Sequence, residues 1–562
     1  MHGNPSGDRL GHSGLRAARL ALVLAACSPH AAPAPAPVPT PAPPQFPVVP
    51  PLVVAEPPKA EAPAHEPPAR EPPPGLPPIS PVSDAPLKVT VVYPARDQLI
   101  TARDSNFILG SVGSGDATLT IDDDSVPVRP NGAFLAWLPI PPGDAPTYHL
   151  TVRRGADSVE LAHPVRTWRS ELVHPPQRGP AQPHTLPPSP RLVSLGKRNG
   201  TVDTDRVITV RPAPGGTYKW FAIPGTIVER LGVENGSTRI RLDGALDAYV
   251  NTTDVVELPD SVAAQTPRRL IGNISVVPDS EWTDVIFPLR EPPPFLVEED
   301  HDELVLTLYS TRASTDIISY KPGDALISTV TWEPVGNDRV RYIVHLRQAP
   351  FGYLAFHDGR SFVLRVRKAP RVDRTRPLAG LTIAVDAGHP PAGSTGPTGL
   401  YEGDATLPIA FDVKAELEQR GATVLMTRTS LGPLELEARP IMARRANAHA
   451  LISIHMNAVP DGVNPLASNG TGTYFFHPQS EPLARAVQAG MVRSMGLKDL
   501  GVFYDNLALV RPTWMPSVLC EGVYVIVPEQ EAAMRTPEGQ RAYAHGVAAG
   551  VEAYFRALAG SR

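Results

Sequence analysis

Two histidines and two glutamates in the last third of the chain carry the residue types that metal-assisted hydrolysis needs: His389, Glu402, His455 and Glu521. Two neutral imidazoles and one carboxylate form a zinc-binding set that keeps a net positive charge and an open coordination position. Such an ion polarises an amide carbonyl and acidifies a bound water. In hydrolysis of an amide the leaving group is an alkylamine, which leaves poorly as its anion. Such a reaction therefore also requires a group that carries a proton to the nitrogen. Glu521 is the candidate for that role.

The chain around these four residues has the pattern of an α/β fold. After Pro377, apolar runs typical of buried strands alternate with segments of helical periodicity. The strands are predicted at residues 381–386, 422–427 and 451–455, and the helices at about 407–417, 434–448, 482–495 and 543–558. This order favours a mixed, mostly parallel sheet with helices on both faces. Ligands gather at strand ends in such sheets. His389 and His455 occupy strand ends, and Glu402 is expected in the glycine-rich loop after the first strand.

Four short strings surround these residues in chain order: Val385-Asp386-Ala387-Gly388-His389, Gly399-Leu400-Tyr401-Glu402, Ser453-Ile454-His455-Met456-Asn457 and Pro516-Ser517-Val518-Leu519-Cys520-Glu521. Together they resemble the zinc-dependent N-acetylmuramoyl-L-alanine amidases of bacterial cell walls, over about residues 379–560. The resemblance implies His389, Glu402 and His455 as ligands of one zinc ion and Glu521 as the catalytic glutamate.

The same resemblance extends to the substrate side of the site. It implies a substrate-side role for Asn457 and for Arg511, which also fall on motif positions of the family. The substrate it implies is peptidoglycan, cut between the lactyl group of N-acetylmuramic acid and the L-alanine of the stem peptide. Peptidoglycan is therefore the expected partner of the C-terminal domain.

The chain departs from the family pattern beside two of these residues. Pro390-Pro391 follows His389 where the family usually has glycines, Ala387 replaces a usual proline, and Gly522 follows Glu521 where a larger residue is common. None of these changes removes a ligand or the base. Because proline fixes φ where glycine would flex, we expect them to alter the cleft.

Three functions are consistent with this segment. The leading one is the amidase reaction; the others are a zinc peptidase acting within the stem peptide and a non-catalytic peptidoglycan-binding lipoprotein. Intact ligand and base positions disfavour the non-catalytic protein. Residues 478–507 have room for one helix, whereas family members with an inserted blocking helix carry more sequence there. We therefore expect no obligatory activator.

The first residues have the features of an export signal. Arg16 and Arg19 precede a short apolar stretch that ends in Leu24-Ala25-Ala26-Cys27, which resembles a bacterial lipobox. Residues 1–27 are then a lipoprotein signal peptide, and an acylated Cys27 anchors the chain to a membrane. Because Ser28 follows, we expect a cell-envelope protein at the outer membrane, facing the periplasm. The alternative is an ordinary cleaved signal with a chance cysteine.

Between this signal and the α/β segment the sequence predicts a tether and three small all-β modules. Proline accounts for 68 of the 562 residues and is concentrated near the N-terminus, which is typical of linkers. The predicted segments are a Pro/Ala-rich disordered tether (28–86), a β-sandwich resembling immunoglobulin-like modules (87–168), a Pro-rich linker (169–195), an SH3-like β module (196–260), an all-β unit resembling the AMIN domains of cell-wall amidases (266–370) and the catalytic domain (379–560). Tyr218 and Trp220 are either an aromatic platform or core residues.

Charge and cysteine content exclude several classes of protein. The formal net charge is −5 and the basic residues are scattered, so we expect no nucleic-acid partner. No apolar run is long enough to span a bilayer. The chain has 2 cysteines, so lipidation of Cys27 leaves Cys520 without a disulfide partner. Cys520 is expected to be a small buried hydrophobe, and the sequence leaves the oligomeric state open.

Overall fold

The computed structural model describes residues 75–167, 191–196, 207–259, 268–300 and 302–560. The predicted signal peptide, Cys27 and residues 28–74 of the predicted tether lie outside these ranges. All described residues belong to one unit, residues 71–562. No helix among them is long and apolar enough to cross a membrane.

The first β module is a sandwich of two antiparallel sheets. Its strands are β1 (Thr90–Tyr93), β2 (Leu99–Ile100), β3 (Ser105–Ser111), β4 (Thr118–Ile121), β5 (Asp124–Val126), β6 (Ala133–Pro139), β7 (Thr147–Arg154), β8 (Asp157–Pro164) and β9 (Arg166–Thr167). One sheet has the order β1-β3-β6 and the other β5-β4-β7-β8, while β2 pairs with β9. The strand content agrees with the sequence, and the immunoglobulin-like assignment stays a prediction.

The three-stranded sheet of this sandwich is apolar on both faces. Phe134 of β6 lies in the core between the two sheets. The next residue, Leu135, packs with Phe107 and Leu109 of β3 into the core of the C-terminal α/β part. Successive side chains of a strand point to opposite faces, so the almost continuous apolar sequence of β6 reflects two buried faces. The sandwich therefore shares a core with the C-terminal part, whereas the sequence indicated separate domains on linkers.

The last part of the predicted tether packs on this folded unit. The Leu76 amide donates to the Met495 carbonyl at 3.3 Å, and the Val82 amide donates to the Pro130 carbonyl at 2.8 Å. Extended proline-rich chain leaves its backbone groups unpaired, so neighbouring elements can bind them. The tether predicted for residues 28–86 is thus shorter at its C-terminal end.

The second and third predicted β modules share a sheet. Their strands are β10 (Arg191–Leu195), β11 (Ile208–Val210), β12 (Trp220–Ala222), β13 (Ile227–Glu234), β14 (Ser237–Asp243), β15 (Leu246–Asn251), β16 (Val255–Glu257), β17 (Leu270–Ile271), β18 (Ile274–Pro278), β19 (Trp282–Phe287), β20 (Phe295–Asp300), β21 (Glu303–Tyr309), β22 (Arg312–Ala313), β23 (Ile318–Tyr320), β24 (Ile327–Pro334), β25 (Arg339–Leu346), β26 (Gly352–His357) and β27 (Phe362–Arg367), with a 3-10 turn at Thr252–Asp254. The sheets have the orders β15-β14-β13-β10-β16, β11-β12-β20-β21-β25-β24 and β23-β18-β19-β27-β26, and β17 pairs with β22.

Pairing across the predicted boundary joins these two modules. Phe221 of β12 is the register partner of Phe295 of β20, so one sheet contains residues from both sides of position 260. Strand β10 also lies inside the predicted linker 169–195. The Trp220 indole donates to the Tyr309 hydroxyl at 3.0 Å within the core, so Trp220 is a core residue and not part of an exposed platform. The SH3-like and AMIN-like assignments stay predictions.

The C-terminal part is the predicted α/β fold. Its strands are β28 (Thr382–Ala387), β29 (Thr423–Met426), β30 (Ala450–Asn457), β31 (Thr471–Phe475), β32 (Asp499–Tyr504) and β33 (Ser517–Tyr524), and its helices are α1 (Glu402–Gln419), α2 (Ala438–Arg445), α3 (Glu481–Met495), α4 (Pro528–Met534) and α5 (Pro537–Gly560), with a 3-10 turn at Pro478–Ser480. The order is β29-β28-β30-β33-β31-β32, parallel except where β31 meets β33. A mixed, mostly parallel sheet is thus confirmed.

Helices cover both faces of this sheet, as predicted. Alternate residues of β30, such as Ile452, pack with α1, α3 and α5. The opposite face, through Leu451, packs with Ala443 of α2 and with Met515 of the loop before β33. Helix α2 is shorter than the predicted 434–448.

A buried carboxyl at the contact between β20 and the C-terminal part gives a pH prediction. Burial raises the pKa of Glu299 to about 8, although the Gln479 backbone N–H opposes this. The unfolded chain releases that proton near pH 4.5, so the folded state binds more protons between these values. The free energy of unfolding should therefore fall as pH rises from 4.5 to 8, by at most about 1.4 kcal/mol per pH unit.

Chemical denaturation of Glu299→Gln across this range tests the assignment. The variant should show a flatter pH dependence than the wild-type protein, because its side chain does not titrate. Glu298→Gln, at the exposed neighbouring position of the same strand, is the matched control and should keep the wild-type slope. Equal slopes for wild type and Glu299→Gln would contradict the prediction.

Candidate metal centre

Three of the four predicted residues meet at the carboxyl ends of β28 and β30. His389 Nε2 and His455 Nδ1 each lie 3.2 Å from Glu402 Oε1. One potential ligand atom from each residue lies within 4.8 Å of the others. Tetrahedral zinc with bonds of about 2.0–2.1 Å places its ligand atoms about 3.3–3.5 Å apart. The donor set therefore fits one zinc ion.

The loop after β28 orients the first histidine. His389 Nδ1 lies 3.0 Å from the Pro391 carbonyl, to which its N–H donates, and this leaves the Nε2 lone pair facing Glu402. Arg439 donates to the Pro390 carbonyl at 2.8 Å. The two prolines that depart from the family pattern thus supply carbonyls that hold this candidate ligand and its loop.

Glu402 is the first residue of α1, and its predicted place in a loop is wrong. Its Oε1 accepts the Met456 amide at 2.9 Å, and its Oε2 accepts the Ser394 amide at 3.1 Å. Burial alone would raise its pKa, but hydrogen bonds and charge from His389 and His455 hold the pKa of Glu402 well below its usual range. A carboxylate in the first turn is also favoured by the helix dipole. This candidate ligand is therefore ionised.

The second histidine requires a glycine beside it. A Cβ atom at Gly388 would lie 2.6 Å from the His455 ring, well inside van der Waals contact. The Gly388 amide donates to the Ile454 carbonyl at 2.9 Å, which joins the loop after β28 to β30. This contact explains the glycine that precedes His389 in the sequence.

Glu521 lies beside the three candidate ligands on the neighbouring strand. His455 and Glu521 are register partners on the parallel strands β30 and β33, so their side chains share a face. No described residue hydrogen-bonds its buried Oε2 atom. Burial and then the charge of Glu402 raise the pKa of Glu521 well above its usual value. A carboxyl oxygen without a protein partner is available to exchange a proton with substrate groups.

The unusual glycine after Glu521 makes room for an aromatic ring. A Cβ atom at Gly522 would lie 2.3 Å from the Tyr543 ring. The Gly522 amide donates to the Tyr543 hydroxyl at 2.9 Å, and this hydroxyl lies 2.9 Å from the carbonyls of both His455 and Cys520. Tyr543 thus braces the strands that carry His455 and Glu521, and nothing local in the sequence revealed this role.

Two buried arginines support the site, and neither was predicted from the sequence. Arg428 donates to the carbonyls of Ala387 and Gly388 at 2.8 and 2.9 Å. Arg439 donates to the Ala387 carbonyl at 2.9 Å and to Asp386 at 3.1 Å. A charged residue directly after a predicted strand, as in Thr427-Arg428, was the available signal.

The two predicted substrate-side residues lie in different surroundings. Asn457 is the last residue of β30, two positions from His455, and accepts the Ala458 amide at 2.8 Å. Arg511 donates to Asn506 at 2.9 Å, and its guanidinium lies 4.4 Å from the Tyr218 ring centre. Arg511 and Tyr218 line a cavity of about 450 Å³, and Asn457 is not among its lining residues. Asn457 therefore adjoins the metal-binding set, and Arg511 faces the β modules.

Known proteins resemble the C-terminal part of the chain. The family model described as N-acetylmuramoyl-L-alanine amidase matches residues 383–553. Uncharacterized protein YqiI of Bacillus subtilis is 30% identical over 198 residues, which are 34% of this chain and 93% of YqiI. Probable cell wall amidase LytH of Staphylococcus aureus is 30% identical over 193 residues, 34% of this chain and 63% of LytH, so the match spans less than two thirds of that relative. A solved structure of N-acetylmuramoyl-L-alanine amidase AmiC2 of Nostoc punctiforme is 32% identical, covering 31% of this chain and 98% of that chain with a TM-score of 0.30.

Proposed function

Since this chain belongs to the N-acetylmuramoyl-L-alanine amidase family and is an enzyme of that class, we propose that it works with one zinc ion. His389, Glu402 and His455 hold the ion, and Glu521 is the general base. The bond cleaved joins the lactyl group of N-acetylmuramic acid to the L-alanine of the stem peptide. The observation that carries this proposal is the 3.2 Å spacing of both histidines from Glu402, with Glu521 in register on the adjacent strand.

The residues of the site divide the chemistry among them. When bound, zinc supplies a Lewis acid that polarises the carbonyl and acidifies a water. Glu521 accepts a proton from the attacking water and returns it to the amide nitrogen, so that the amine leaves as a neutral group. The Pro391 carbonyl holds His389 in the tautomer with a free Nε2. Asn457, at the end of β30, is placed to contact the substrate.

The site is proposed to work without an activating protein. The helix predicted between residues 478 and 507 is α3, which packs through Leu483, Val487 and Met491 into the core beneath the sheet. Cys520 of β33 points into that core, and Glu521, the next residue, points to the opposite face. Helix α3 thus lies on the face away from the catalytic carboxyl. A purified protein that is inert until a second protein is added would contradict this proposal.

We also propose that the enzyme acts in the cell envelope during cell-wall remodelling. The export-type N-terminus and the lipobox-like Leu24-Ala25-Ala26-Cys27 support an acylated Cys27 and attachment to the outer membrane, facing the periplasm. There peptidoglycan is the available amide polymer. Mass spectrometry of the membrane fraction tests this, because an acylated Cys27 peptide is expected and an unmodified cysteine would contradict it.

Digestion of purified sacculi by the whole protein tests the reaction. We expect the digest to contain new L-alanine N-termini. Treatment of the protein with a chelator should stop their formation, and addition of zinc should restore it. A new amine within the stem peptide would identify a zinc peptidase instead. Retention on sacculi with no new amine would identify a non-catalytic binding protein. Either result would overturn the proposed bond, and unchanged activity in chelator would overturn the metal.

A further inference from the structure

The loop that follows the second histidine leaves the sheet at the edge where the candidate ligands lie. Residues 458–470, here called the rim loop, leave β30 at its carboxyl end and lead to β31. Asn457, directly before the rim loop, is held by the Val525 amide, which donates to its carbonyl at 3.1 Å. The sheet thus fixes the start of the rim loop. Ligands bind at the carboxyl edge of such sheets, so the rim loop borders the space that substrate must enter.

One carboxylate in the rim loop is bound by the first β module. The amide and hydroxyl of Thr101 donate to Asp461 Oδ2 at 2.8 and 3.0 Å. Asn106 donates to Oδ1 at 3.0 Å, and the Tyr93 hydroxyl also donates to Oδ1. Four donors from residues more than 350 positions away therefore converge on one side chain.

The contact is reciprocal and charged. The Gly462 amide donates back to Asn106 Oδ1 at 3.0 Å, so the amide group of Asn106 bonds the rim loop twice. Asn106 is fully buried, next to Phe107 of the shared core. Burial would raise the pKa of Asp461, but hydrogen bonds from Thr101 and the other donors lower it. Hydrogen bonds to an ionised acceptor are the stronger kind.

The same module also contacts the segment that follows the catalytic strand. Arg129 lies 2.9 Å from Glu529 of α4, the helix that comes after β33. Two residues later, Glu531 accepts the amides of Thr398 and Leu400 at 3.0 Å, in the loop that leads to Glu402. The sandwich therefore touches the chain downstream of both His455 and Glu521.

We propose that Asp461 is a positioning residue for substrate binding. The N-terminal sandwich is then a structural part of the catalytic unit that holds the rim loop, and not a separate module. The sandwich holds Asp461, and Asp461 fixes the rim loop beside Asn457. The metal-binding residues are held by other contacts, those of Glu402 with Met456 and of Gly388 with Ile454. Release of Asp461 should therefore weaken substrate binding and leave metal binding intact. This inference rests on the proposed function for its turnover assay alone.

Two variants of the whole protein, one on each side of the contact, test the proposal. Asp461→Asn places an amide donor against the donors of the sandwich, and Thr101→Val removes one hydroxyl donor from the sandwich side. For hydrolysis of soluble disaccharide-peptide fragments, KM should rise about tenfold in Asp461→Asn, and less in Thr101→Val, with kcat within about twofold of wild type. Zinc content should be unchanged. Thr118→Val, which removes a similar hydroxyl bond to Arg153 within the sandwich, is the control and should match wild type.

Calorimetric binding of the same fragments separates this proposal from the proposed function. Kd should rise in both variants, as KM does. The Kd values can be compared even if the wild-type protein shows no turnover. Absence of turnover would overturn only the proposed reaction. A lower Tm in Asp461→Asn with unchanged KM and Kd would overturn the positioning role. Equal loss of zinc and kcat would overturn it as well, since the contact would then support the ligands.

Discussion

Replacing Glu521 with glutamine is expected to preserve the metal site and to slow hydrolysis by about 10²-fold or more, the usual scale of general acid-base catalysis. Glutamine has nearly the same shape, so the register of β33 should survive. It cannot accept the water proton or return it to the leaving nitrogen. The loss should therefore appear in kcat, because the ligands of the metal and the cleft are unchanged.

Kinetics on sacculi or their fragments, with metal content measured in the same samples, test this expectation. The control is Glu538→Gln, an exposed carboxylate paired with Arg541 at the start of α5, which should retain wild-type turnover. Wild-type turnover by Glu521→Gln would show that another group moves the proton. Loss of bound zinc in that variant would show that Glu521 is a ligand and not the base.

Removing everything before residue 379 is expected to destabilise the C-terminal part severely. The truncation uncovers the surface that buries Phe107, Leu109 and Leu135. Burial of each large apolar side chain contributes about 1.5–3 kcal/mol. The free energy lost with these three side chains therefore approaches the total stability of a typical domain, about 5–15 kcal/mol. It also removes Arg367, which donates to the Ala448 carbonyl at 2.6 Å.

Thermal unfolding of two truncated proteins tests this expectation. A protein that begins at residue 75 keeps all the described contacts and should unfold at the same Tm as the whole chain. One that begins at residue 379 should be insoluble, or bind a dye specific for exposed apolar surface and unfold at least about 10 °C lower. A soluble fragment of residues 379–562 with the same Tm would show that the shared core contributes little.

The sequence was sufficient to single out the three candidate ligands that the structure brings together, because their signals are local. His389 and His455 each follow a strand that the apolar pattern reveals, and their proximity follows from parallel strands that end at the same edge of the sheet. Glu402 was assigned to a loop because the glycines before it obscure the start of α1. The helix pattern that follows becomes visible only at Leu407.

The remaining features depend on contacts between distant parts of the chain. The pairing of Phe221 with Phe295, the donors to Asp461 and the ring beneath Gly522 each join residues that no window of the sequence contains together. Strand β6 did carry a readable signal, since its unbroken apolar run indicates a strand buried on both faces. That run identifies a second contact surface but not the element that covers it.

The doubly buried sheet also has a consequence for synthesis of the protein. Strands β1, β3 and β6 leave the ribosome long before α4 and α5, which complete the core that receives Leu135. At about 5–20 residues per second, the nearly 400 intervening residues take roughly 20 to 80 s to translate. During that interval the nascent sandwich presents an uncovered apolar face, the kind of surface that chaperones bind and that aggregates in their absence.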